Sequence, residues 1–350
     1  MPTYLSQYIS QRVGRAIEER VFPGCVVGVF ERGERIILPF GSFTYEVDSE
    51  RVQKHSIYDV ASITKSIPTA SLALHLIGER RLRLSDTVHA FLPELKNHRG
   101  ATVKDLLTYT VRGLQLSTLK DNTAEDILAH VFECGFFAPP GKPEYTNLPA
   151  LLLGLIVERV SKETLNALSQ RIFFDPLHMT RTTFSPSFAP SFAISFGGRS
   201  KASEGRPSDV ERCVPTEIIE GNEIRGIVHD ESARVFARAR KAVGHAGLFS
   251  TADDILTFLE ALIAGTFPAV VRGAQEGLGW QLADERFMGK DAGKRTFGKT
   301  GFTGTSVVCD VERGIALVIL SNRTYPKRPP NDDAIYAFRR DIADIVLGAR

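Results

Sequence analysis

Ser62-Ile63-Thr64-Lys65 sets a hydroxyl and an amine three residues apart. On a helix such residues share one face, with Cβ atoms roughly 5–6 Å apart, so the amine reaches the hydroxyl. A lysine stripped of water beside a second cation gives up its proton more easily than a free amine of pKa about 10.4, and can act as base toward the serine. A helix N-terminus adds N–H donors and positive potential where an oxyanion forms. The spacing alone is common: Ser117-Thr118-Leu119-Lys120 repeats it.

Tyr145-Thr146-Asn147 follows Pro139-Pro140-Gly141 and precedes a helix-patterned run. A phenol beside ammonium groups deprotonates more readily and can shuttle a proton, while an amide can hold a substrate carbonyl. Asn147 also suits the N-cap of the helix beginning near Leu148, which alone would explain it. The third motif, Lys299-Thr300-Gly301, offers a cation and a hydroxyl at a strand's start for a substrate carboxylate or a neighbouring base, and Gly301 allows close backbone approach. The run Gly293 to Thr300 also satisfies GxxxxGK[ST], the phosphate-loop pattern. Such a loop needs a buried strand before it and a helix after it; Phe287 to Ala292 is turn-like, and Thr305 to Val308 is β-branched, so nucleotide binding is disfavoured. The serine, tyrosine and lysine motifs occur in that order, about 80 and then about 150 residues apart.

The elements that must position these groups follow from periodicity. Ile9, Val13, Ile17 and Val21 recur every four residues, an amphipathic helix. Cys25 to Phe30 and Arg35 to Phe40, joined through Gly33, read as a β-hairpin. Thr305 to Asp310 and Ile315 to Leu320 are strand-like, and Asp333 to Leu347 is an amphipathic helix. Helical patterns lie near Ser62–Arg80, Thr102–Leu107, Ala124–Val131, Leu148–Val160, Glu163–Ile172 and Thr251–Ala264. The expected fold is an α/β (α+β) two-lobed single domain over 1–350: segments 1–60 and 285–350 form an antiparallel sheet flanked by terminal helices, and 61–284 forms a mainly helical lobe with a long loop near 184–244.

Composition excludes several classes. The 350 residues are 43% hydrophobic and 24% charged, with a net charge of +2, which fits neither a disordered chain nor a polyelectrolyte binder, and nucleic acid is not an expected partner. Four scattered cysteines, Cys25, Cys134, Cys213 and Cys309, argue against a disulfide framework or zinc site, and no metal is expected. No unbroken apolar run marks the N-terminus as a secretory leader, so the expectation is a cytoplasmic protein, or a periplasmic one whose leader has been removed, with no membrane partner.

With all three motifs in order, the chain resembles the serine β-lactamase and penicillin-binding-protein superfamily, nearest the class C β-lactamase and family VIII carboxylesterase branch. Its SxxK, YxN and KTG motifs are met by Ser62/Lys65, Tyr145/Asn147 and Lys299-Thr300-Gly301. Flanking stretches agree, among them Asp59-Val60-Ala61, Leu106-Leu107-Thr108, Gly244 to Thr251 and Gly298 to Thr305, so the likeness spans about residues 15–348. The resemblance implies a β-lactamase/transpeptidase-like fold and Ser62 as nucleophile, with Lys65 and Tyr145 moving protons. It implies Asn147, Lys299, Thr300, Gly301 and Phe302 around the substrate, an oxyanion hole from the N–H groups of Ser62 and Phe302, and no cofactor.

Departures from the pattern are Pro68 early in the serine helix, Val111-Arg112 where relatives carry Ser-Gly, and lysine rather than histidine at 299. His229-Asp230-Glu231 is expected to line the cleft, His245 to pack structurally, and Trp280 to belong to core or pocket wall. The expected substrate is a small ester, amide or β-lactam. A carboxylesterase ranks first, a β-lactamase or D-Ala-D-Ala carboxypeptidase second, and a catalytically silent binding homologue third. Oligomeric state is not legible.

Overall fold

The computed structural model describes residues 3–184 and 212–348. Six strands form the main sheet: β1 (Gly24–Glu31), β2 (Glu34–Gly41), β3 (Gln281–Leu282), β4 (Phe297–Thr300), β5 (Ser306–Asp310) and β6 (Ile315–Ser321). Their spatial order is β2-β1-β6-β5-β4-β3, antiparallel throughout. The two chain ends meet at its centre, where Cys25 pairs with Ser321 and Glu31 with Ile315. Arg32 and Gly33 turn β1 into β2 with φ of 54° and 80°, the paired left-handed conformation that a two-residue hairpin needs.

Strand alternation explains the layers. Cys25, Val27 and Val29 point to one face and join the terminal helices Thr3–Glu18 and Asp333–Leu347 in one core cluster. Val26 points to the other face and belongs to the larger cluster, which runs through helix Ala252–Ile263 into the helical region. Gly28, on that same face, lies so near Leu256 that an added Cβ would meet it at 2.9 Å, so the helix packs closely over the strand. Among the described residues no single helix is long and apolar enough to cross a membrane.

Three local expectations need correction. The serine-bearing helix is not continuous: a 3-10 turn spans Ala61–Lys65, a π-type turn spans Ser66–Ala70, and the α-helix proper is Ser71–Gly78. Ile67 between them is extended (φ −115°, ψ 109°), because Pro68 disfavours helical backbone in the residue before it. The segment 184–244 is not simply a loop: it holds a hairpin, Glu217–Ile219 with Asn222–Ile224, and a helix, Glu231–Arg238, while 185–211 lies outside the described residues. Alternation over three residues is too short to register as a strand signal. Lys299 and Thr300 end strand β4 rather than start one, and a turn follows instead of a helix, so the phosphate-loop pattern has no matching architecture.

Candidate active site

The site starts from how the backbone presents Ser62. Ala61 adopts a left-handed conformation (φ 49°), which costs a non-glycine residue on the order of 1 kcal/mol or more and must be held by its surroundings. Asp59 holds it: one carboxylate oxygen accepts the Ala61 N–H at 2.8 Å and the other accepts the His229 N–H at 2.7 Å. From the opposite side, the hydroxyls of Thr303 and Thr305 donate to the carbonyls of Asp59 and Val60, at 2.8 and 3.0 Å. The turn after β4 is thereby fastened to Asp59 and Val60, just ahead of the serine. The N–H groups of Ser62 and Phe302 donate to no protein acceptor among the described residues, which leaves both for a ligand.

Lys65 is 1% exposed and lies one 3-10 turn beyond the serine. Its Nζ donates to Ser62 Oγ at 2.8 Å and to the His245 carbonyl oxygen at 2.8 Å. The broken helix therefore leaves the Ser–Lys contact intact, because both residues sit before the break. Tyr145 stands over these groups, its ring centroid 5.2 Å from Lys65 Nζ and 4.7 Å from Lys299 Nζ. Burial works to raise the proton affinity of its phenol, but Lys65 and Lys299, with hydrogen bonds from Ser62 and Lys65, bring it below the ordinary tyrosine value. The residue is 55% exposed. Lys299 is 2% exposed, and burial, opposed by Tyr145 and reinforced by Lys65, lowers its pKa to about 8.

Tyr145 is also fixed from behind. Its ring packs on Tyr109 with centroids 5.5 Å apart, the Glu144 N–H donates to the Tyr109 carbonyl at 2.8 Å, and Arg112 pairs with Glu144 at 2.8 Å. Arg112, noted as a departure, thus secures the approach to the tyrosine.

These groups open on a cleft of about 690 Å³. Ser62, Tyr145, Lys299, Thr300, Gly301 and Phe302 all line it, as do Tyr109 and Trp280. Asn147 does not: it occupies the N-cap position of helix Leu148–Ser161 without a side-chain cap bond, and its Nδ2 donates to Asp230 Oδ2 at 3.0 Å. Nor do His229 and Asp230 line the cleft. His229 is 2% exposed, bonded to Glu217 at 2.9 Å, and its ring stacks behind Phe302 at 5.8 Å. His245 is fully buried, as packing demands, yet its carbonyl is a ligand of Lys65.

Four cationic side chains, Arg286, Lys299, Arg323 and Arg339, line the same cleft; Arg286 is paired with Asp284 and Arg323 with Asp332, which leaves Lys299 and Arg339 without a carboxylate partner among the described residues. The sequence offered no signal for this, since the arginines come from separate elements. Arg339, on helix Asp333–Leu347, donates to the carbonyls of Gly301 and Thr305 at 2.8 and 2.7 Å, and its Nε has no partner among the described residues.

A family model, Beta-lactamase, matches residues 5–341. The chain belongs to the beta-lactamase family. It is 27% identical over 322 residues to an Escherichia coli K12 protein provisionally named D-alanyl-D-alanine carboxypeptidase, covering 79% of this chain and 72% of the relative. It is 24% identical over 379 residues to the N-acetylmuramyl-L-alanine amidase of Bacillus subtilis strain 168, covering 92% and 83%. Among solved structures, the hydrolase EstCE1, described with promiscuous acyltransferase activity, superposes with a TM-score of 0.73 at 19% identity over 98% of each chain. A beta-lactamase/D-alanine carboxypeptidase from Pseudomonas syringae gives 0.73 at 17% over 99% of each. This beta-lactamase-family chain is a serine hydrolase of the β-lactamase/transpeptidase-like fold, and the family acts on small ester, amide or β-lactam-type substrates.

Proposed function

We propose that the chain works through an acyl-enzyme on Ser62 and prefers acyl donors that carry a carboxylate near the scissile bond, as D-alanyl peptides and β-lactams do. The observation that carries this preference is the charge of the cleft, where Lys299 and Arg339 have no carboxylate partner among the described residues, while Arg286 and Arg323 are paired with Asp284 and Asp332. In a partly desolvated pocket such an excess attracts anionic substrates and disfavours cationic ones. The E. coli relative's name points the same way.

Ser62 Oγ attacks the carbonyl carbon as its proton passes to the Tyr145 phenolate, while Lys65 Nζ, bonded to Oγ, holds the nucleophile in place. The oxyanion is received by the N–H groups of Ser62 and Phe302. Tyr145 returns the proton to the departing amine or alcohol, and the same base then draws a proton from water as it cleaves the Ser62 ester and frees the acid. Lys65 and Lys299 favour the phenolate form of Tyr145 against the effect of burial, and no step calls for a group beyond these side chains.

A carboxylesterase on small neutral esters is the second reading. It is favoured by the aromatic wall of Tyr109, Trp280 and Phe302, which would receive an uncharged acyl group. Comparing kcat/KM for a D-Ala-D-Ala peptide, its C-terminal methyl ester, a cephalosporin and a nitrophenyl butyrate separates the two. Loss of turnover on methylating the peptide carboxylate supports the anionic preference; turnover of the butyrate alone supports the esterase.

A further inference from the structure

Asp230 joins the cleft's proton machinery from outside it. It caps helix Glu231–Arg238, its Oδ1 accepting the Ala233 N–H at 2.9 Å and the Ser232 hydroxyl at 2.7 Å. Capping engages one oxygen only. The other, Oδ2, accepts the amide of Asn147, 83 positions away, at 3.0 Å. A carboxylate cannot donate, so this contact fixes which end of the Asn147 amide faces it: the nitrogen is held toward Asp230 and the carbonyl is turned the other way.

The same carboxylate is tied to Lys65 by a second route. His245 Nε2 lies 3.4 Å from Asp230 Oδ1 and 3.0 Å from Ser232 Oγ, and its Nδ1 has no partner among the described residues, which assigns the ring proton to Nε2. The His245 backbone carbonyl is the second acceptor of Lys65 Nζ. The chain cannot ease away here, because Gly244 packs so tightly that a Cβ on it would stand 2.1 Å from the Ala150 carbonyl oxygen. The charged and titratable groups that act on Asp230 are His245, Lys65 and the buried carboxylate of Asp59. Burial works against the ionised form of Asp230, but His245, the Ala233 N–H and Lys65 outweigh it and hold the carboxyl well below its usual range.

We infer that Asp230 is a positioning residue for acylation: its buried carboxylate orients the Asn147 amide, braces the His245 carbonyl that holds Lys65, and supplies negative charge behind the Ser62–Lys65 pair. This rests on the Ser62 acyl-enzyme reading. Removing that charge favours loss of the proton that the Ser62 reaction must shed, so the acid limb of the reaction moves to lower pH, while looser positioning lowers the plateau.

The test follows covalent labelling of Ser62 by a fluorophosphonate, with no assumption about substrate, as a second-order rate against pH. Asp230→Asn is expected to shift the acid limb down by on the order of one pH unit and to lower the plateau roughly tenfold. Ser232→Ala, which keeps the carboxylate but removes the hydroxyl that bridges it to His245, is expected to lose stability and to keep its acid limb at the wild-type pH, because the charge remains. A purely structural role would move the melting temperature of both variants and the pH profile of neither. Wild-type labelling with an Asp230→Asn profile superimposable on it overturns this inference alone; failure of the wild type to label at Ser62 overturns the acyl-enzyme reading and this inference with it. Should Asp230→Asn not fold, the carboxyl carbon resonance of Asp230 in the wild type decides: a flat signal from pH 4 to 9 supports the fixed charge, and titration within that range refutes it.

Discussion

Gly301 lies beneath the carbonyl of Val60: a Cβ on the glycine would stand 2.5 Å from the Val60 oxygen and 2.1 Å from Thr305 Oγ1. The strand that brings Lys299 and the backbone that presents Ser62 are therefore in contact through a residue with no side chain, and no larger residue fits without parting them. Gly301→Ala is expected to lower kcat/KM by about 100-fold or more and to cost about 1–3 kcal/mol in stability. Denaturant unfolding and steady-state kinetics check both.

Lys299 makes the site costly to fold. Its lowered pKa of about 8 means that the unfolded chain binds more protons than the folded one between that value and the ordinary lysine value, so stability rises with pH across this window. The penalty is fully present below about pH 8, where a shift of this size corresponds to about 3 kcal/mol. Lys299→Met is expected to be more stable than wild type at pH 7, by about 1–3 kcal/mol once the lost contacts with Tyr109 and Tyr145 are allowed for, and to lose the extra stabilisation between pH 8 and 10. Chemical denaturation at several pH values measures it.

The phenol of Tyr145 is expected to set the acid limb of kcat/KM. Because Lys65 and Lys299 pull its proton affinity below that of free tyrosine against the effect of burial, Lys299→Met should move the limb to higher pH. Tyr145→Phe should remove the limb and lower the acylation rate by about 100- to 10,000-fold. Pre-steady-state acylation rates across pH report both.

Asp59 bonds to two backbone N–H groups, those of Ala61 and His229, and an amide in its place would set an NH2 against one of them. Asp59→Asn is expected to cost about 1–3 kcal/mol and to slow acylation, since Ala61 is then free to leave its left-handed conformation. Thermal unfolding and the rate of adduct formation at Ser62 check this.

The terminal sheet was legible because β1, β2, β5 and β6 are strongly patterned and joined by turns with glycine in them. Likewise, that Ser62, Tyr145 and Lys299 share one cleft is legible because three motifs in order constrain one another. Other features carry no such pattern. The hairpin Glu217–Ile219/Asn222–Ile224 is too short for periodicity to register, and the break at Ile67 depends on a proline whose effect on a buried helix start is settled by packing. That Asp230 takes the Asn147 amide nitrogen is not legible either, because residue type does not name a partner 83 positions away. His245 was read as packing because its part is played by a backbone carbonyl, which any residue possesses. The cationic end of the cleft is assembled from Arg286, Arg323 and Arg339 on distant segments, and only tertiary structure brings them together.

The central claim is that Ser62 becomes acylated because Lys65 and Tyr145 converge on its hydroxyl. Intact-mass analysis after rapid acid quench with a penicillin or a D-alanyl ester, followed by peptide mapping, tests it most directly. The account predicts one acyl group per chain on the peptide bearing Ser62, absent in Ser62→Ala and strongly reduced in Tyr145→Phe. An adduct on another residue, or undiminished turnover by Ser62→Ala, would contradict it.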